Sequence, residues 1–195
     1  MLKLLHIVDE FTREALEVRC ERRIDADHTV RRLDWIVETT GRVPELIRCD
    51  NGPELTANAI RDWCRFSRTG SVFIEPGSPW QNPFVESFGS RIRDELLGVE
   101  QFSCLAEAKV MVEDWRHDYN HHRPHQALGM VAPARFAAAW REAAATGKLI
   151  PLDQGPSDVA PVASLRSSLR GLAARGDGTS LHPDHYPPLS HQVDP

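Results

Sequence analysis

Apolar positions along the first 150 residues follow two periods in turn, and that alternation predicts an α/β chain. Leu2–Val8 and Ala15–Cys20 are short β-like runs separated by Asp9-Glu-Phe-Thr-Arg-Glu14, and they read as a hairpin. Val30, Leu33 and Val37 recur at i, i+3 and i+7, which predicts a helix over Asp27–Thr40. Glu45–Cys49 is a third strand, ended by Asp50-Asn-Gly-Pro-Glu54. Glu54–Phe66 reads as helix and Ser71–Glu75 as strand. The proline-rich loop Pro76-Gly-Ser-Pro-Trp-Gln-Asn-Pro83 leads into a helix over Pro83–Leu97, followed by helices over Cys104–Tyr119 and Pro133–Ala144. Trp35, Trp63 and Trp115 sit on helical stripes and are expected in the core.

The pattern stops at about residue 150. Half of the 14 prolines lie in the last 45 residues, together with four of the 12 glycines and six serines. Such a segment buries too little apolar surface to offset the entropy of ordering it. The expectation is a folded unit over 1–146 and a disordered Pro/Gly/Ser-rich tail over 147–195. Leu165, Leu169 and Leu172 suggest at most one marginal helix, near 162–174. With three arginines against five aspartates in 151–195, the tail is not a basic DNA-binding arm.

Composition narrows the class. Of 195 residues, 41% are hydrophobic and 26% charged, which is globular usage. No apolar run approaches the roughly 20 residues of a membrane span, and the start lacks a signal-peptide core, so the expectation is a cytoplasmic protein with no membrane partner. The four cysteines show no paired CxxC spacing, which argues against a zinc ribbon or a disulfide scaffold. A net charge of −5 means that any nucleic-acid contact is local rather than spread over the surface.

Two carboxylates stand where chemistry uses them. Asp50 ends an apolar strand before an immediate turn, and clefts in open α/β sheets form at carboxyl ends of strands. Glu86 lies in the first turn of the next-but-one helix, offset from the Val85, Phe88 and Ile92 stripe and on one side with Ser90 and Arg93. A carboxylate, a hydroxyl and a guanidinium in line suit a metal-bound phosphate. Magnesium or manganese takes hard oxygen ligands and keeps waters, so two or three carboxylates suffice. Each residue alone also has an ordinary reading, Asp50 as a turn residue and Glu86 as a dipole-compensating surface charge. Trp80 and Gln81, in the loop before Glu86, either touch DNA or pack beneath the loop. Arg91 and Arg93 read as phosphate contacts or solvated charges. His117, His121, His122 and His125 lack the company of a zinc site, and the stretch from Tyr119 to His125 reads chiefly as a pin between helix end and core. Cys49 is a buried strand residue.

Asp50-Asn-Gly-Pro-Glu54, Pro76-Gly-Ser-Pro-Trp-Gln-Asn82, Glu86-Ser-Phe and Arg91-Ile-Arg-Asp-Glu95 together resemble the catalytic core of bacterial insertion-sequence transposases related to retroviral integrases. Thirty-five residues separate Asp50 from Glu86, as in that family's D,D,35,E pattern, and Arg93 is the basic residue seven after the glutamate. Trp115-Arg-His-Asp-Tyr-Asn120, Arg123-Pro-His125, Leu128-Gly129 and Pro133-Ala-Arg-Phe136 match the closing motif. The resemblance implies an RNase H-like fold and metal-dependent cutting and joining of DNA at transposon ends and targets. Asp50 and Glu86 would be the metal ligands for Mg²⁺ or Mn²⁺; Ser90, Arg91, Arg93, Trp80 and Gln81 would contact DNA. The family's first aspartate belongs to a strand that precedes Leu5-His-Ile-Val-Asp9, so the expectation is an integrase core lacking its first central strand. Its sheet would be opened, or rearranged with Leu2–Val8 against Glu45–Cys49. Asp9 matches the second strand–turn, not the catalytic position. The expected outcome is a core fragment inactive by itself. The rival is a non-catalytic DNA-binding remnant, or one that pairs with a full-length transposase or a second copy. A stand-alone nuclease fits the closing motif less well.

Overall fold

The computed structural model describes residues 2–50, 52, 55, 58–75 and 77–146, and the backbone of 162–170. Strands β1 (Leu2–Asp9) and β2 (Ala15–Glu21) form the expected hairpin, paired antiparallel from Lys3↔Glu21 to Val8↔Ala15. Asp9 shapes its turn. The Asp9 carboxylate accepts the amides of Phe11 at 2.9 Å and Thr12 at 3.1 Å, and also meets Arg42 at 3.3 Å. Arg13 then turns the chain at φ 63°, a left-handed conformation that costs a side-chain-bearing residue about 1–2 kcal/mol.

Helix α1 (Ala26–Thr40) starts on the Asp25 side chain, which accepts the His28 amide, and stops at Gly41 with φ 66°. Next come β3 (Leu46–Cys49), α2 (Asn58–Ser67) and β4 (Gly70–Phe73), with β3 and β4 parallel. A 3₁₀ turn (Pro79–Gln81) leads into α3 (Pro83–Ile92). The sequence predicts one helix to Leu97, but the last turn widens to a π-helix over Arg93–Leu97. Helix α4 (Leu105–His121) is capped by Cys104, and α5 (Pro133–Thr146) completes the helical part.

The sheet has five strands in the order β2-β1-β5-β3-β4, and its middle strand comes from the far end of the chain. Strand β5 (Val162–Arg170) pairs antiparallel with β1 from Leu2↔Arg170 to Asp9↔Ala163, and parallel with β3 from Leu46↔Val162 to Cys49↔Leu165. Two expectations are thereby corrected. Residues 162–170 are neither helix nor disordered tail, and the sheet is not opened between β1 and β3. The physical reason is that β1 and β3 each present a row of backbone donors and acceptors, and one strand satisfies both rows. The remainder of the expected tail, 147–161 and 171–195, lies outside the described residues.

Helices cover both faces of the sheet. On one, Leu2, Leu4 and Val8 of β1 pack with Val85, Phe88 and Ile92 of α3 and with Val112, Trp115 and Tyr119 of α4. On the other, Leu5, Ile7, Ile47 and Cys49 meet Leu33 and Ile36 of α1 and Ile60 and Cys64 of α2. Of the three tryptophans expected in the core, Trp115 is buried, and Trp63 is half-buried with its indole N–H on Asp34 at 2.6 Å. Trp35 is a correction: it is 41% exposed, with the Arg32 guanidinium 4.3 Å from its ring. The buried stripe of α1 runs through Thr29, Leu33 and Ile36 instead.

Candidate functional site

β3 alternates its sides. Ile47 and Cys49 enter the core shared with α1 and α2, which leaves Arg48 to the α3 side. There Arg48 donates to the Gln81 carbonyl at 2.8 Å and to Glu10 at 3.0 Å. The Gln81 side chain in turn accepts the Glu75 amide at 2.8 Å. These contacts tie the carboxyl end of β3 to the entrance of α3. Asp50, the next residue of that parity, is half-buried, and its carboxylate accepts the Gly52 amide at 3.0 Å, forming the turn. Glu86 follows Gln81 by five residues, half-buried in the first turn of α3. Asp50 thus lies at the carboxyl end of β3, and Glu86 in the first turn of the helix that the Gln81 loop enters. Among the described residues no group of three or more His, Cys, Asp or Glu side chains could enclose a metal ion.

The other sequence candidates have distinct surroundings. Ser90 is half-buried, one turn beyond Glu86, while Arg91 and Arg93 are exposed. Trp80 is 72% exposed, so the reading in which it packs beneath its loop is not met. Gln81 is half-buried and occupied with the loop contacts above. Asp9, fully engaged in its hairpin turn, has a structural task. Cys49 is buried, and burial among apolar groups pushes its thiol well above its ordinary range.

Three residues to which the sequence pattern gives no role complete the site. Arg48 is the tie just described. Asn82, at the N-terminus of α3, is 1% exposed, yet neither atom of its amide has a hydrogen-bond partner among the described residues. Arg13 lies over the Phe84 ring at 3.8 Å, and burial lowers its pKa. Only Asn82 has a local signal, since Asn before Pro is a helix-start pair. Further along, burial first, then Arg91, Arg13 and Arg123, hold the His125 pKa down to about 4. Burial likewise raises Tyr119 to about 12, against the influence of Arg91 and Arg13. Arg123 pairs with Glu95 and Asp118. Arg91, Arg13 and Arg123 thus lie near His125, with Arg123 already paired to two carboxylates. The Asn120 amide bonds both the N–H and C=O of Ala15, tying the end of α4 to the start of β2.

Two models described as integrase core domain match the chain, one over residues 1–79 and the other over 67–133. An uncharacterized 39.2 kDa protein of insertion element IS476 from Xanthomonas euvesicatoria is 41% identical over 140 residues, 72% of this chain and 40% of that protein. An uncharacterized 31.7 kDa protein of insertion element IS407 from Burkholderia multivorans is 38% identical over 143 residues, 73% of this chain and 51% of that protein. This chain thus spans about half the length of these curated relatives or less. The HTLV-2 integrase catalytic core domain, solved in complex with magnesium, superposes with a TM-score of 0.51 at 18% identity, over 68% of this chain and 82% of that one. That likeness gives the fold, which is RNase H-like. No helix among the described residues is long and apolar enough to cross a membrane.

Proposed function

We propose that this chain, similar to the integrase-core proteins of insertion elements, is a transposase core that engages DNA through the α3 side of its sheet. Asp50 and Glu86 would hold a divalent cation, Mg²⁺ or Mn²⁺. Their hard oxygens suit either ion, and a half-buried setting leaves room for the waters that such ions keep. When bound, the cation supplies charge stabilisation to the attacking and leaving oxygens of a phosphoryl transfer. The chain's own residues position the substrate. Exposed Arg91 and Arg93 offer guanidinium forks to backbone phosphates, Ser90 offers a hydroxyl, and exposed Trp80 offers a stacking face. Gln81 acts indirectly, by holding the loop.

The observation that carries this reading is the Arg48–Gln81 tie, which brings the end of β3 to the entrance of the Glu86 helix. Because no group of three or more His, Cys, Asp or Glu side chains could enclose an ion among the described residues, the chain alone binds DNA with little or no strand cleavage on this reading. A non-catalytic role, on DNA ends or beside a full-length transposase or second copy, is favoured by the middle strand, whose sequence Val-Ala-Ser-Leu-Arg-Ser-Ser-Leu-Arg holds no carboxylate. Nicking and strand-transfer assays with Mn²⁺ and a transposon-end duplex test the proposal. Expected are salt-sensitive DNA binding and at most trace products. Robust turnover that vanishes in Glu86→Gln would overturn the silent-core reading, and absence of DNA binding would overturn the reading as a whole.

A further inference from the structure

A nine-residue strand from the far end of the chain occupies the middle of the sheet, and its two flanks differ in kind. β1 runs antiparallel to it over eight positions and β3 runs parallel over four. β1 and β3 are not neighbours anywhere in the sheet. Without an intervening strand, both would present open ladders of backbone donors and acceptors inside the helical layers. Fifteen residues, 147–161, link α5 to the strand, so its insertion does not depend on a tight turn. Ala163, Leu165 and Leu169 are apolar against polar Ser164, Arg166, Ser168 and Arg170, a strand period broken at Val162 and Ser167.

Register gives this strand a consequence at the candidate site. Leu165 pairs with Cys49, and continuing the parallel register by one residue sets position 166 alongside Asp50. On its other side position 166 pairs with His6, whose ring meets Phe88 of α3 edge-on at 5.4 Å between centroids. Paired positions share a face of the sheet. Position 166 therefore lies on the α3 face, between His6 and Asp50, and the residue there is arginine.

We propose that the space between β1 and β3 is a strand-binding groove whose occupant is this chain's own segment 162–170, and that its register puts position 166, an arginine in this sequence and not a carboxylate, next in line to Asp50. The groove recognises backbone first. It takes an extended peptide of about nine residues that runs antiparallel to β1, with apolar and polar positions in alternation. The chain thus completes its sheet in cis while leaving its cation site one ligand short. This last clause rests on the proposed role of Asp50 and Glu86; the strand itself does not.

Hydrogen exchange on the full chain tests the groove. Amides 163–169 are expected to be protected as strongly as those of β1. Ser164 pairs with Val8 on one side and Arg48 on the other, so Ser164→Pro removes a ladder donor whichever way it points. That variant is expected to melt earlier and to expose β1 and β3 amides together, and a synthetic peptide of residues 161–171 added to it is expected to restore protection. Rapid exchange of 163–169 in the native chain, an unchanged melt in Ser164→Pro, or a peptide that restores nothing would each overturn the groove. Mn²⁺ binding followed by electron paramagnetic resonance tests the register. Arg166→Asp is expected to bind Mn²⁺ about tenfold more tightly by adding a ligand charge. If Asp50→Asn weakens Mn²⁺ binding but Arg166→Asp changes nothing, the placement of position 166 is wrong. If neither substitution matters, the cation reading fails, and the groove is judged by exchange alone.

Discussion

Asn120 ends the buried side of α4 with its amide committed to a single backbone residue, accepting from Ala15 N–H at 2.9 Å and donating to Ala15 C=O at 3.1 Å. Asn82 is as deeply buried and has neither bond among the described residues. A buried amide stabilises only through the bonds it makes, and an unmatched one carries its desolvation cost. Truncation should therefore act oppositely at the two sites. Asn120→Ala strands the Ala15 N–H, while the Ala15 C=O keeps the Arg116 guanidinium at 3.0 Å, and should lower stability by about 1–3 kcal/mol. Asn82→Leu, close in volume and free of polar atoms, should leave stability unchanged or raise it by up to about 1 kcal/mol. Urea unfolding of both variants against the parent measures this, and a large loss in Asn82→Leu would mean that the amide has a structural partner after all. Asp50 and Glu86 are legible in the sequence because a strand end and a helix start are local events. Arg48 and Asn82 are not. Arg48 matters through a carbonyl 33 residues away, and the defect at Asn82 exists only once α3 has packed.

His125 shows what packing adds to an element. It sits 9% exposed before a 3₁₀ turn (Gln126–Leu128), with Tyr119 edge-on at 4.9 Å and with Arg91, Arg13 and Arg123 close enough to oppose its charge. Its pKa falls from an ordinary 6.5 to about 4. Between those values the unfolded chain binds a proton that the folded chain does not, so stability rises with pH through this window and levels off above it. The stability lost on acidification through this whole window is on the order of 3 kcal/mol. Glu14 works the other way: burial raises its pKa, so its ionisation opposes folding as pH climbs past the usual carboxylate range. Melts of the parent and His125→Gln from pH 4.5 to 7 separate the two, and the parent should lose stability faster on acidification. An identical slope in both proteins would remove His125 as the cause. The helices and first four strands are legible because each carries its own period. β5 is not, because Leu165 and Leu169 fit a helical spacing equally well and the choice is made by the open flanks of β1 and β3. The π turn at Arg93–Leu97 leaves no mark in a spacing of apolar residues either.

Charge is a property of the whole molecule, and here it sets how DNA could be held. A net charge of −5 repels a polyanion at long range, so binding must come from the few cations on one face. Arg91 and Arg93 are exposed on α3 and the π turn that follows it, and Arg91 has no carboxylate partner among the described residues. Arg123 is already engaged by Glu95 and Asp118, and Arg48 by Glu10. Two to four phosphate contacts are then available, which predicts a slope of about −2 to −4 for log affinity against log salt, from roughly 0.9 per contact on duplex DNA. That is shallow for a DNA-binding protein and follows from the small number of free guanidiniums on the α3 side of an acidic chain. Replacing Arg91 and Arg93 together by alanine should flatten the slope by about 2 and weaken binding alike for transposon-end and unrelated duplexes, because phosphate contacts position without reading sequence. Fluorescence anisotropy across a salt series provides both numbers. A parent slope much steeper than −4 would require a larger cationic surface than this side of the sheet provides, and would move the DNA elsewhere on the molecule.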